Sequence, residues 1–361
     1  MTHSVPLARR RNSLNSALGL GEKLFSSANE RRFASAIEDG LGQVEQGLLT
    51  QVAFADDLAD ATTRYLLDAG GKRVRPTLAL LTAQLGVGNT AEVVIAAQAL
   101  EITHLASLYH DDVMDEAGMR RGVPSAQSVW GNSVAILTGD LLFARASKLM
   151  SGLGERAIVL QANTFERLCL GQLHETIGPR EGEDPIGHYL RVLADKTGSL
   201  IAAAAEMGVI FGKAPEELRI PVKIFGENIG VAFQLIDDVI DLAAGGDQTG
   251  KTPGTDLRSG VATLPLLYLR ALARTDSDAA DLLARIERYV NATHSGEVHE
   301  ADEAELALAI AELREHEVTR KTLDEARRWA SEAVEALEAL PAGPVKKALT
   351  RFAESVVERS N

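Results

Sequence analysis

The chain has 361 residues and a single cysteine, Cys169, so an intrachain disulfide is excluded and a reducing, cytoplasmic setting is expected. A formal net charge of −14 argues against nucleic acid as a partner and against electrostatic docking of the whole body on anionic lipid. Aromatics make up only 4% of the residues while alanine and leucine abound, which favours helix over strand.

Residues 1–30 include Arg9-Arg10-Arg11 ahead of a Ser- and Asn-rich stretch and read as a mobile basic arm. No secretory hydrophobic region leads the chain, and no apolar run reaches the roughly 18 uncharged residues of a membrane span. Helical spacing covers Phe33 to Val52 and then Ala55 to Leu67, stopping at Gly70-Gly71. Lys72-Arg73-Val74-Arg75-Pro76 follows as an abrupt basic turn. It is no P-loop, since Gly-Lys is not followed by Ser or Thr, yet lysine and arginine there can grip phosphate as point charge and fork.

Thr77 to Leu85 reads as a short apolar helix, and Ala91 to Asp115 as a long one that is apolar nearly all round, hence central and buried. That helix ends in Asp111-Asp112-Val113-Met114-Asp115. Asp111 and Asp115 lie about 40° apart around the helix, with Asp112 about 60° beyond. His104, seven residues before Asp111, falls on nearly the same face. A histidine on a core helix is usually a satisfied core residue, but one aligned with this set is a candidate phosphate contact.

Glu116 to Pro124 is expected to be a loop, with Arg120-Arg121 suited to bidentate grip on phosphate oxygens. Helices are expected over Ser133 to Met150, Ala157 to Ile177 and Tyr189 to Phe211, separated by a polar loop at Pro179 to Gly187. Cys169 reads as a small buried hydrophobe. Lys196, in Asp195-Lys196-Thr197-Gly198, lies on an otherwise apolar segment, where an anionic ligand would relieve the cost of burying an ammonium.

Val222 to Ala244 ends in a second set, Asp237-Asp238-Val239-Ile240-Asp241, with Gln234 three residues upstream. The glycine-rich loop that follows, with Lys251, is expected to be a closing lid, and the remainder reads as amphipathic helices. No linker divides the chain, and no strand alternation stands out.

Three carboxylates side by side repel, at about 0.2–0.5 kcal/mol for each like-charge helix pair. Doing this twice after apolar runs, at the negative ends of helix dipoles, calls for a cation. The sets offer oxygen donors alone, which suits Mg²⁺ shared with substrate phosphates.

In these motifs and their order the chain resembles the all-trans isoprenyl diphosphate synthases, over a stretch from about Phe33 to the C-terminus. Gly70 to Pro76, Glu101 to Asp115, Arg120-Arg121-Gly122, Lys196-Thr197, Gln234 to Asp241 and Gly250-Lys251 carry the resemblance. It implies an all-α, single-domain bundle of long helices around a central apolar cavity, here residues 31–361, forming a homodimer through apolar helices. It implies that Asp111, Asp112, Asp115, Asp237, Asp238 and Asp241 hold several Mg²⁺ ions on an allylic diphosphate, gripped also by Arg120, Lys196 and Lys251. Lys72, Arg75, His104 and Arg121 would hold isopentenyl diphosphate, and Thr197 and Gln234 would line the reacting carbons. The implied enzyme is a prenyltransferase of isoprenoid biosynthesis with no membrane span, touching membranes at most peripherally when product leaves. One departure stands out. Where many members carry a lysine shortly before Thr263-Leu264-Pro265, this chain has Val261, so either Arg258 supplies the charge or the lid is less basic.

Ala99, Thr103 and Ala106 form one stripe of small residues on the first aspartate helix, over about 10 Å of rise. Short-product members tend to carry a bulky aromatic where this chain has Ala106 and Ser107. The open stripe favours a long product, roughly seven to ten isoprene units, as in a quinone side-chain precursor. A shorter-chain synthase remains the alternative, since small residues also permit close helix packing. A terpene cyclase would carry a different second motif and have no use for Lys72 and Arg75. A non-catalytic partner subunit should have lost aspartates or arginines, and a plain helical metal-binding protein leaves the separated basic positions unexplained.

Overall fold

Helix boundaries in the computed structural model, which describes residues 27–243, 253–295 and 300–359, follow the caps. Helix α1, Ala28–Gln51, opens on a capping box: Glu30 N–H donates to the Ser27 hydroxyl at 3.2 Å and Ser27 N–H donates to Glu30 at 2.9 Å. Helix α2, Asp57–Asp68, is capped by Asp56, which accepts from Ala59 N–H at 2.9 Å. Helix α3, Val74–Ala83, starts two residues before Pro76, because a proline in the first turn removes only an N–H that has no helical partner there. The basic turn is therefore shorter than expected, and Arg75 belongs to a helix. Thr90 caps helix α4, Ala91–Met114, whose last residue precedes Asp115.

Between α4 and the short helix α5, Ala126–Trp130, the expected loop contains an antiparallel pair, β1, Met119–Arg120, and β2, Val123–Pro124. Arg121 and Gly122 turn it with φ of 53° and 78°. Left-handed backbone at both central positions is what a tight two-residue hairpin requires. Helices α6, Asn132–Leu153, α7, Glu155–Ile177, and α8, Pro185–Leu193, follow. A π-helical turn, Ala194–Gly198, leads into α9, Ser199–Phe211, and then α10, Arg219–Asp241. The C-terminal part holds α11, Thr255–Arg258, α12, Leu264–Leu272, α13, Ser277–Ser295, α14, Glu300–Glu315, α15, Glu317–Ala336, and α16, Pro344–Glu358. The fold is all-α, as expected. The basic arm at Arg9-Arg10-Arg11 and the lid residues Gly250 and Lys251 lie outside the described residues.

The chain forms two compact units. The first comprises the described residues of Met1–Glu166 with Ser199–Gly226 and Ala336–Phe352, and the second comprises Arg167–Gly198, Glu227–Glu335 and the described residues of Ala353–Asn361. In the first, α4 is central, packed by α1, α3, α6 and α9. Ala96, Ala97, Ala99, Ile102, Leu105 and Ala106 on it are all fully buried. By length and hydropathy α4 could cross a membrane, which qualifies the expectation that no run would, but 72% of its apolar window is buried in the protein. It is a core helix. Close packing around it relies on small residues: a Cβ on Gly208 of α9 would come within 2.0 Å of Thr82 Oγ1 and 2.2 Å of the Ala79 carbonyl on α3. In the second unit α13 packs on α12 and α14, and α8 on α12. Cys169 does not follow the sequence reading. It is exposed on α7, because its face of that helix points outward along with Leu170 and Leu173.

One buried side chain ties α4 to its neighbour. The hydroxyl of Tyr109, fully buried, accepts from Leu66 N–H at 3.2 Å and donates to the Thr62 carbonyl, so it bridges the groups that a regular α2 would join directly. Tyr109→Phe leaves both buried groups without that partner and should cost about 1–3 kcal/mol, read as a lower urea midpoint with unchanged helical circular dichroism. An unchanged midpoint would show that α2 closes its own ladder there.

Candidate active site

The C-terminal end of α4 and the segments beside it gather most of the predicted basic residues of the first unit. Asp111 is half-buried, Asp112 fully buried and Asp115 exposed. Arg120 Nε donates to Asp112 Oδ1 at 2.5 Å, while Asp112 Oδ2 is buried with no hydrogen-bond partner. Burial raises the Asp112 carboxyl above its usual range against the pull of Arg120. Arg120, expected on a diphosphate, is here the counter-ion of an aspartate. His110, next to Asp111, faces α6 instead, with Nε2 3.0 Å from the Ile136 carbonyl. Gly139 leaves room for that ring, since a Cβ there would lie 2.3 Å from it.

Arg73, Arg75 and Arg121 converge beside this helix end. Arg73, in a left-handed conformation with φ of 52°, donates to Glu45 at 2.5 Å and to the buried Glu101 at 3.1 Å, and is spent on them. Arg121, also left-handed, donates to the Leu66 carbonyl at 2.7 Å and to the Gly70 carbonyl. Such residues cost about 1–3 kcal/mol each and persist only where the surroundings hold them. Gly71 is needed for this crowding, because a Cβ would meet Arg73 Nη1 at 2.5 Å and Arg121 Nη2 at 3.1 Å. Arg75 differs from both: its Nε is buried without a hydrogen-bond partner, and burial pulls the guanidinium down to about 10, only partly countered by Glu101. Lys72 is exposed. Burial, then the charges of Arg75, Arg121, Arg120 and Arg73, hold His104 well below the usual imidazole value.

The small residues of α4 are buried: Ala99 and Ala106 fully, Thr103 at 2% exposure and Ser107 at 7%. Thr103 Oγ1 donates to the Ala99 carbonyl and Ser107 Oγ to the His104 carbonyl, both at 2.9 Å, which removes their polarity from the helix surface.

In the second unit α10 carries Gln234, half-buried, and the other aspartates. Asp238 Oδ2 accepts from the Tyr189 hydroxyl at 2.7 Å and from Leu264 N–H at 3.4 Å, and burial pushes its carboxyl up to about 7. Asp241 accepts from Thr255 N–H at 3.2 Å and Asp256 N–H at 3.1 Å, so it caps α11. Asp237 lies 3.6 Å from Arg359, which also stacks over Phe233. Lys196 and Thr197 sit half-buried in the π-helical turn, a form that clusters at functional positions. The Lys196 ammonium pairs with Glu175, so a carboxylate of the protein itself, rather than a ligand alone, offsets its burial. Arg258 donates to the Pro253 carbonyl at 3.1 Å and to Glu303, and Val261 is exposed, so this stretch carries no spare cation from Arg258.

Among the described residues, no three His, Cys, Asp or Glu side chains converge on one ion-sized point. Asp112, Asp238 and Asp241 are drawn to Arg120, Tyr189 and backbone N–H groups respectively. The donor set still fits a hard divalent ion. All donors are carboxylate oxygens at helix C-termini, and the orphaned Asp112 Oδ2 is an acceptor that such an ion would satisfy. The sequence reading gave no role to Glu101, Glu175 or Tyr189, whose partners stand 28, 21 and 49 residues away along the chain.

The polyprenyl synthetase family matches residues 56–311. The nonaprenyl diphosphate synthase of Mycobacterium tuberculosis is 42% identical over 328 residues, covering 91% of this chain and 94% of that protein. A geranylgeranyl pyrophosphate synthase from Corynebacterium glutamicum, complexed with calcium and isoprenyl diphosphate, superposes with a TM-score of 0.77 at 39% identity, covering 93% of this chain and 99% of its own. A decaprenyl diphosphate synthase from Rhodobacter capsulatus gives a TM-score of 0.78 at 32% identity over 92% and 99% of the two chains. The chain belongs to the polyprenyl synthetase family and is a prenyltransferase.

A titration tests the arginine cluster. The unfolded chain takes up a proton on His104 near pH 6.5 and the folded one does not, so stability should fall as pH drops below about 6.5. His104→Gln should flatten that fall between about pH 6.5 and 5, and inorganic pyrophosphate, by neutralising the arginines, should lessen the difference between the two proteins. Identical slopes would mean that the imidazole is solvated.

Proposed function

We propose that the protein condenses isopentenyl diphosphate head-to-tail onto an allylic diphosphate, farnesyl or geranylgeranyl, to give a long all-trans polyprenyl diphosphate of the kind used in quinone side chains. The observation that carries this is a pair of unmet needs at one helix end: a buried guanidinium donor on Arg75 and a buried carboxylate acceptor on Asp112, each without a partner. A diphosphate carrying divalent ions answers both, with oxygens for the arginine and metal for the aspartate. The nonaprenyl and decaprenyl synthases among the relatives support the long product.

In this reading Asp111, Asp112 and Asp115, with Asp237, Asp238 and Asp241, hold Mg²⁺ ions on the allylic diphosphate. Bound there, the ions draw electron density from the leaving group. Arg120 and Lys196 release Asp112 and Glu175 to grip the same diphosphate, joined by Lys251. Lys72, Arg75 and Arg121 hold isopentenyl diphosphate, and His104, kept neutral by burial and by the arginines, donates one N–H without adding charge. The allylic C–O bond breaks, the alkene of isopentenyl diphosphate attacks the resulting cation, and the proton lost passes to the departing diphosphate. Thr197 and Gln234 line the reacting carbons. The apolar wall of α4 keeps out water that would quench the cation. The growing chain runs past Ala106, Ser107, Thr103 and Ala99.

One catalytic domain over residues 31–361 and a cytoplasmic setting complete the proposal. Self-association is assigned to α6 and α7, which expose Leu137 at 61%, Val159 at 52% and Leu173 at 51%. Large apolar residues exposed on long helices are what a second copy would cover.

Incubation with isopentenyl diphosphate, Mg²⁺ and a series of allylic primers, followed by product sizing, tests the reaction and its length together. A product of roughly seven to ten isoprene units is expected, and Ala106→Phe should shorten it, because a ring on that face of α4 narrows the path over about a turn of helix. A parent product of four units or fewer, about the length of one primer extended once, would favour the shorter-chain alternative. An unshortened Ala106→Phe product would place the path elsewhere.

A further inference from the structure

Arg167, Gly171 and Glu175 stand at i, i+4 and i+8 on α7 and so form one stripe on its surface. All three meet the π-helical turn. Arg167 Nε donates to Asp195 Oδ1 at 2.7 Å, a Cβ on Gly171 would lie 2.7 Å from Lys196 N, and Glu175 accepts from the Lys196 ammonium. Arg167 also forks onto Glu227 of α10, with Nη1 at 2.8 Å and Nη2 at 3.2 Å. Glu227 abuts the other end of the turn, since a Cβ on Gly198 would sit 2.9 Å from its carbonyl. The guanidinium thus fastens a strained turn to α7 and to α10.

We propose that Arg167 is a positioning residue for Lys196 and Thr197. It keeps the π-helical turn in register and neutralises Asp195 and Glu227, two carboxylates that would otherwise compete for the Lys196 ammonium. The inference rests on the reading that Lys196 and Thr197 engage the allylic substrate. A π-helical turn is less favourable than a regular one and survives only where its surroundings over-determine it. Without Arg167 the turn can relax toward α-helical pitch, and Lys196 can swing onto Asp195, its neighbour in the chain. A lysine at 167 could meet one carboxylate but could not span both, because the fork is a property of the guanidinium plane.

The test is a double-mutant cycle on the full-length enzyme, with Arg167→Ala, Lys196→Ala and the pair. KM and kcat are measured separately for farnesyl diphosphate and isopentenyl diphosphate, with thermal midpoints alongside. Arg167→Ala should raise KM for farnesyl diphosphate about tenfold or lower kcat by a similar factor, leave KM for isopentenyl diphosphate within about twofold, and be no worse when added to Lys196→Ala. Arg167→Lys should recover only part of the loss. Fully additive effects, or an equal rise in KM for both substrates, would overturn the inference. If Lys196→Ala leaves the handling of farnesyl diphosphate unchanged, the site reading falls and the inference with it; if Lys196→Ala impairs it and Arg167→Ala does not, only the inference falls. Should Arg167→Ala lose cooperative melting, Asp195→Asn removes the same tie from the turn's side and is judged by the same outcomes.

Discussion

Charge of one sign crowded onto the end of a buried helix is the constraint on which the site depends. Asp111, Asp112 and Asp115 sit where the α4 dipole is already negative, and Asp112 is fully buried. Such a set is stable only if cations are close. The protein supplies Arg120 for one oxygen of Asp112 and leaves the other unmet. On α10 the same pattern is met differently, Asp238 by a tyrosine hydroxyl and a backbone N–H and Asp241 by backbone N–H groups, with Arg359 beside Asp237. In both places the internal partners are ones that a more strongly charged ligand can displace.

The arginines beside α4 show the complementary device. Arg73 is spent on Glu101 and Glu45, which fixes the left-handed residue before α3 and aims the chain there. Arg121 is spent on carbonyls, which fixes the hairpin turn. With those two neighbours locked, Arg75 is held half-buried with an unused donor, and its depressed basicity records the cost. An anion arriving there gains from charge already assembled.

Much of this was legible along the chain. The two Asp-Asp-x-x-Asp sets follow from helical spacing, and α4 announces itself by being apolar on every side. What stayed hidden has a common cause. The hairpin has strands of two residues, too short for alternation to register, and its turn places an arginine where a glycine would have been the signal. The π-helical turn at Ala194–Gly198 has no composition that separates it from α-helix. Glu175, Tyr189 and Arg167 act through partners far along the chain, and spacing within one helix says nothing about those. Cys169 failed for a simpler reason, since residue type predicts burial only on average and its face of α7 is exposed.

Whether each aspartate set holds divalent ions that in turn carry a diphosphate can be tested without turnover. Mn²⁺ uptake, followed by electron paramagnetic resonance on the parent, Asp111→Ala and Asp237→Ala proteins with and without inorganic pyrophosphate, reads it directly. Pyrophosphate should strengthen Mn²⁺ uptake by the parent, and either substitution should remove most of that gain while leaving the thermal midpoint of the ligand-free protein in place. Uptake in both variants equal to that of the parent would contradict those metal roles.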